Sequence, residues 1–178
     1  LGPFQLTNLF AALTDLSGMP SSYGDQTLPR KYTASHLLTA NLSSRVQVHL
    51  FESVVFAPDD RRGAGFDIAY LNPIVFYRAV ELDRGSPDNV LIGAGASWIV
   101  RPGYRLYGQG LITEFQIDEL FAGRGYWANK WGTMGGIEVA PDLPFNLTAN
   151  YELTKIRPFT YSHGDPSTAY VHFEDYLG

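Results

Sequence analysis

From Phe145 to Leu153 every second residue is apolar: Phe145, Leu147, Ala149, Tyr151 and Leu153 alternate with Asn146, Thr148, Asn150 and Glu152. Successive side chains of a β-strand point to opposite faces, so this order writes a strand with one oily and one wet face. The same period runs through most of the sequence after Arg30. Residues 45–56 place Val46, Val48, Leu50, Val54 and Phe56 on one side and Arg45, Gln47, His49, Phe51 and Ser53 on the other. Residues 89–100 set Val90, Ile92, Ala94, Ala96 and Trp98 against Leu91, Gly93, Gly95 and Ser97. Residues 104–115 form the next strand, with Arg105, Gln109 and Thr113 on its polar side, after a tight turn at Arg101, Pro102 and Gly103. Residues 32–42 and 128–140 are two weaker strands. The expected fold is all-β and antiparallel.

Two features interrupt the pattern. Glu52 breaks the oily side of its strand; a carboxylate facing lipid is costly, so a bulge or a place near a membrane rim is expected there. Leu6, Leu9, Phe10, Leu13 and Leu16 fall at helical spacing, which predicts a short amphipathic helix over residues 5–16, ended by Gly18 and Pro20. The expected organisation is a helix and polar linker in residues 1–30, followed by a portion of a β-barrel in residues 31–178.

Alternation alone fits a soluble sandwich as well as a membrane barrel. No run approaches the roughly 18 apolar residues that a membrane helix needs, and mean hydropathy is -0.10, so a bundle of membrane helices is excluded. Aromatic residues reach 14%, with 11 Tyr and 11 Phe, and favour strands and interfacial rings. Tyr32, Trp98, Tyr104, Phe115, Trp131 and Phe145 stand near strand ends, where membrane girdles belong, and the polar faces carry Asn, Thr, Gln, Glu and Arg. These features favour a transmembrane barrel. Its short connections fall at Ser43-Ser44, 101–103 and 141–144, its long ones at 57–65, 83–88 and 116–127. Strict alternation of short and long then requires residues 66–81 to be two strands turning near Asn72-Pro73, or else an inward-folded plug. With the hairpin counted, about eight strands result, most near the roughly 9 to 11 residues of a tilted membrane strand.

The net charge of -5 argues against nucleic acid, which needs a basic surface. The absence of cysteine excludes disulfides and thiolate metal sites. The residues after Leu1 lack the layout of a signal peptide, so a removed leader or an internal piece is expected.

Glu114, Asp118 and Glu119 could supply the carboxylate pair of a glycoside hydrolase, but with Arg124 and Lys130 nearby a salt-bridged loop is the expected reading, and no catalysis. His163, Asp165, His172, Glu174 and Asp175 carry nitrogen and oxygen ligands, yet no spacing ties them together. No metal or other cofactor is expected, and Asp165-Pro166 is read as the start of a turn. Asn41-Leu42-Ser43 and Asn146-Leu147-Thr148 match the glycosylation triplet by chance, inside or beside strands. Gly93 and Gly95, like Gly108 and Gly110, are spaced by two, which would let a backbone or a plug approach one sheet face.

Several motifs keep a common order. Asn72-Pro73-Ile74-Val75-Phe76-Tyr77-Arg78-Ala79-Val80-Glu81 is followed by Gly85-Ser86-Pro87-Asp88-Asn89, then Leu106-Tyr107-Gly108-Gln109, Glu114-Phe115 and Tyr126-Trp127-Ala128-Asn129-Lys130. Arg157-Pro158-Phe159-Thr160-Tyr161-Ser162-His163 comes next, with Asp165-Pro166, Ala169-Tyr170 and His172. From about residue 66 onward the chain thereby resembles the Wzi-type capsule assembly family of Bacteroidota-like bacteria. The resemblance implies an outer-membrane barrel, longer than this chain, that attaches or assembles capsular polysaccharide. It implies membrane lipid, surface polysaccharide and other envelope proteins as partners, and no enzyme activity. Rings that stack on sugars and planar polar groups beside them are the chemistry of glycan contact. Tyr126, Trp127, Asn129, Lys130, Tyr161, His163, Tyr170 and His172 are the glycan-binding candidates of that type. A porin-like channel and a soluble glycan-binding or glycan-active protein are the alternatives.

Overall fold

The computed structural model describes residues 3–14, 30–56, 89–113, 130–142, 144–162, 168–172 and 175–176. Among the described residues nine strands follow one another: β1 (Phe4–Thr14), β2 (Arg30–Asn41), β3 (Val46–Phe56), β4 (Asn89–Arg101), β5 (Tyr104–Ile112), β6 (Trp131–Val139), β7 (Ala149–Ile156), β8 (Val171–His172) and β9 (Asp175–Tyr176). The first seven form one antiparallel sheet in the order β1-β2-β3-β4-β5-β6-β7, while β8 and β9 pair as a separate ribbon. Each strand of the sheet therefore lies beside its neighbours in sequence. The order is linear, so β1 and β7 are edges and the sheet is not closed among the described residues.

Strands β4 and β5 follow the alternation closely and meet at the Arg101-Pro102-Gly103 turn. Gly103 has φ 78°, a left-handed conformation that suits glycine, and its carbonyl accepts the amide of Ala140 at 2.7 Å. The registers Trp98↔Leu106, Leu106↔Ile137 and Ile137↔Tyr151 then carry one parity across four strands.

Two expectations need correction. Residues 5–14 are strand, not helix: β1 lies beside β2, and Asn41 donates its amide to the Pro3 carbonyl at 2.8 Å. Pairing along a whole strand edge outweighs a short helical spacing, because a helix of that length is marginal by itself; among the described residues there is no α-helix. The last long strand begins at Ala149, not Phe145, because β6 ends at Val139, which is the register partner of Ala149, and residues 140–148 make the connection. Residues 66–81, expected as two strands turning near Asn72-Pro73 or as a plug, lie outside the described residues, as do Leu16, Gly18, Pro20 and Phe115. With β1 counted as a strand, the sequence separations between successive described strands are alternately long (15–29, 57–88, 113–130) and short (42–45, 102–103, 140–148).

The chain divides into two compact units. One comprises Leu1–Thr7, Leu37–Phe51 and Ile92–Thr160; the other comprises Asn8–His36, Glu52–Leu91 and Tyr161–Gly178. The second holds all the buried apolar side chains among the described residues: Ala34, Val54, Val55, Phe56, Val90, Leu91, Ala169 and Tyr170. Glu52 belongs to it as well, its carboxylate buried 3.3 Å from Nδ1 of buried His36, which is how this strand accommodates the charge in its oily register.

Candidate functional site

In the first unit the sheet has two faces of opposite character. On one, the cross-strand row Trp98, Leu106, Ile137 and Tyr151 is 49%, 41%, 36% and 63% exposed. Directly opposed side chains normally bury one another's flanks; here their outer surfaces stay uncovered. Tyr104 shares this face, with the Arg101 guanidinium 3.9 Å from its ring centroid, and so does Trp131, over which Lys155 sits at 5.6 Å. Aromatic rings and cations thus stand at both ends of the apolar band.

The other face is polar through its middle rows, with Ile99, Leu111 and Ile156 at its margins. The Arg105 guanidinium donates to the Glu138 carboxylate, and the Tyr107 hydroxyl lies 3.0 Å from Asn150 Oδ1 and 2.9 Å from Glu152 Oε2. Gln109 and Thr154 follow in the next row, through Met134. This face also carries Gly93 and Gly95, where an added Cβ would run into the rings of Phe51 and His49. Gly108 and Gly110 do not share it; they pair with Ala96 and Ala94 on the apolar face.

No family model, no curated protein and no solved structure matches the chain. What the site can do therefore rests on its own residues.

Among the glycan-contact candidates, Tyr126, Trp127, Asn129 and His163 lie outside the described residues. Lys130 belongs to the first unit and is buried, its carbonyl accepting the Thr113 amide at 3.1 Å. Tyr161 and Tyr170 belong to the second. Tyr170 is buried; its hydroxyl lies 3.0 Å from the Asn89 carbonyl and bonds the Ser53 carbonyl, and its amide donates to the Tyr161 carbonyl at 3.0 Å. Buried Lys31 donates to the neighbouring Ala169 carbonyl at 3.1 Å. Tyr161 is half-buried, and that burial raises its phenol above the ordinary value of 10.0. His172 is the register partner of Asp175 across β8 and β9. Lys130 and Tyr170 thus serve packing, and the exposed rings among the described residues include Phe4 on β1, Trp98 and Tyr151 in the apolar band, and Phe145 and Phe159 in the connections beside β7.

The acids Glu114, Asp118 and Glu119, and the metal-ligand types His163, Asp165 and Glu174, also lie outside the described residues. Among the described residues no group of three His, Cys, Asp or Glu is placed to hold a metal. The Arg157-to-Tyr161 motif forms the turn after β7. The Thr160 hydroxyl lies 2.7 Å from the Arg157 carbonyl, while the Thr160 carbonyl accepts the Thr113 hydroxyl at 3.1 Å. Phe159 takes a left-handed φ of 67°, rare for a residue with a side chain, and its ring is 72% exposed.

The residues that sequence reasoning missed are Tyr107, Glu138, Asn150 and Glu152 as a connected set. Their signal was Gly136, which leaves a polar-face gap between two strands.

Proposed function

We propose that this chain forms part of the wall of an outer-membrane β-barrel that helps attach or organise surface polysaccharide and performs no catalysis. The membrane part of this reading is carried by the uncovered row Trp98, Leu106, Ile137 and Tyr151. Burying an apolar side chain of this size is worth about 1.5 to 3 kcal/mol, so a half-exposed row of four leaves on the order of 5 kcal/mol unrealised in water. Lipid recovers that energy, whereas a soluble sandwich would have covered the row with a second sheet. From Tyr104 to Ile112, β5 advances about 27 Å along its axis, or about 20 Å across a membrane at the usual tilt. That is close to the apolar band of about 25 Å that such barrels present. The alternation of short and long connections supports the same reading, with the short turns on the periplasmic side.

The polysaccharide part rests on the resemblance of the ordered motifs to the capsule assembly family. Of these motifs, Leu106-Tyr107-Gly108-Gln109 lies on β5 and places Tyr107 and Gln109 on the polar face. Membrane lipid, surface polysaccharide and other envelope proteins are the partners. The polar face with its Arg105–Glu138 pair favours a second reading, a porin-like channel.

Cell fractionation followed by a heat-modifiability gel tests the membrane assignment. An outer-membrane band that changes mobility on boiling is expected; a protein soluble without detergent would remove the basis of the reading. Binding of the cell's own extracted surface polysaccharide, without ion conductance in planar bilayers, is the outcome expected of a polysaccharide organiser; conductance without binding would select the channel.

A further inference from the structure

The apolar face is not uniformly bulky. Beyond the row Trp98, Leu106, Ile137 and Tyr151 come two rows of small residues: Ala96, Gly108 and Gly135, ending at Leu153, and Ala94, Gly110 and Thr133, ending at Lys155. Side chains turn large again at Ile92, Ile112 and Trp131. The step leaves a groove of about 490 Å³ across β4, β5 and β6, floored by Ala94, Gly110 and Thr133 and walled by Leu50, Ile92, Ile112 and Trp131.

The walls are hydrocarbon and indole, with the Thr133 hydroxyl as the one side-chain oxygen among the lining residues. Nothing there would hold a free phosphate or a sugar. At the β7 end, however, Lys155 continues the row of the groove floor and leans over Trp131, a wall residue, at 5.6 Å. Among the described residues no carboxylate pairs with its ammonium. An apolar trough with a cation at one end complements an amphiphile with a hydrocarbon tail and an anionic head. A neutral amphiphile or an apolar partner helix would fill the trough and leave the charge of Lys155 unmatched.

We propose that the groove seats one acyl chain of an anionic, phosphate-bearing membrane lipid, with the lipid's phosphate held by Lys155. This rests on the membrane reading above, and it differs from general contact with the bilayer because it specifies one retained lipid at one place.

The test uses the full chain in nanodiscs of phosphatidylcholine with a minor fraction of phosphatidylglycerol, stripped by mild detergent and weighed by native mass spectrometry. One retained phosphatidylglycerol per chain is expected. Gly110→Leu fills the floor, and its Cβ meets the Gly132 carbonyl and the Thr133 methyl group no closer than 3.8 Å, so the sheet accommodates it. It should lower retention about tenfold, equivalent to about 1.4 kcal/mol. Lys155→Gln should abolish the preference for phosphatidylglycerol over phosphatidylcholine and leave phosphatidylcholine contact as it was. Equal retention of the two lipids by the unaltered chain would overturn the proposal, as would retention indifferent to both substitutions or a second protein chain in place of lipid. Flotation with vesicles separates the two failures. A protein that floats but keeps no phosphatidylglycerol contradicts this inference alone, whereas one that does not float contradicts the membrane reading beneath it.

Discussion

The hydroxyl of Tyr107 on β5 lies 2.9 Å from the Glu152 carboxylate on β7, two strands away. It reaches that far because Gly136 on the intervening β6 is the register partner of both and carries no side chain. A Cβ at Gly136 would stand 2.6 Å from Cζ and from the hydroxyl oxygen of Tyr107. The ring therefore occupies the space that the glycine leaves, and its hydroxyl ties the β7 edge to the strands before it. Phe51 over Gly93 and His49 over Gly95 repeat the device between β3 and β4. Aromatic cover over a sheet glycine restores packing that the glycine forfeits.

Gly136→Ala should consequently destabilise the fold by about 1 to 3 kcal/mol, through overpacking against the ring and loss of its hydrogen bonds. Urea unfolding midpoints of the refolded protein measure it. In a Tyr107→Ala background the same substitution should cost less, since the ring is gone and only the Tyr151 carbonyl, 2.8 Å from the added Cβ, still opposes it. Additive costs in the double variant would mean that ring and glycine do not meet.

Buried His36 and Glu52 give a different kind of prediction. Breaking a buried pair from one side strands the other group, whereas replacing both with apolar residues removes the desolvation cost together with the attraction. His36→Leu should cost about 3 kcal/mol, and His36→Leu with Glu52→Leu should recover most of that loss. Thermal unfolding of the three variants decides the matter; a double variant worse than the single one would show that Glu52 has a more important contact than His36.

How far the sequence reveals this architecture depends on the element. Strand β4 and the start of β5 are legible almost to the residue, because Ile92 to Trp98 alternate apolar side chains with Gly and Ser and Pro102-Gly103 marks the turn. β1 is not, since Leu6, Leu9, Phe10 and Leu13 satisfy a helical spacing, and only the edge of β2 resolves the ambiguity. The start of β7 is displaced because alternation continues through Phe145 and Leu147 into a connection, and the end of β6 sets the register rather than β7's own pattern. On the polar face, Gly93 and Gly95 announce that something approaches, but a single sequence does not pair Phe51 with Gly93 or Tyr107 with Gly136, for that requires the registers. The burial of Tyr170 is hidden for the same reason. Its ring reads as a surface stacking platform until Ser53 and Asn89, distant in sequence, are brought to its hydroxyl.

Tyr161 sets an alkaline limit. Burial disfavours its phenolate, so the folded protein holds the proton above the pH at which the unfolded chain releases it. The unfolded chain then binds fewer protons in that interval, and stability falls as pH rises. The contribution is fully present below about pH 10, the ordinary tyrosine value, and is lost as pH climbs through the raised value. Unfolding measured through this alkaline range should show a shallower decline in Tyr161→Phe than in the unaltered protein. Identical declines would assign the alkaline loss to other groups.

Leu153 and Thr154 are neighbours on β7 that face opposite ways: Leu153 pairs with Gly135 on the apolar side and Thr154 with Met134 on the polar side. Both are exposed, so in a water-soluble sheet an arginine at either place would change stability by no more than about 0.5 kcal/mol. In a membrane the two positions part company. Arginine facing lipid near mid-bilayer costs about 2 to 4 kcal/mol, while arginine on the lumen side retains its water. Leu153→Arg should thus refold poorly into phosphatidylcholine vesicles and show a lowered unfolding midpoint there, whereas Thr154→Arg should behave as the unaltered chain does. Equal tolerance at both positions would mean that the apolar band of β4 to β7 does not meet lipid, and that a protein surface covers it instead.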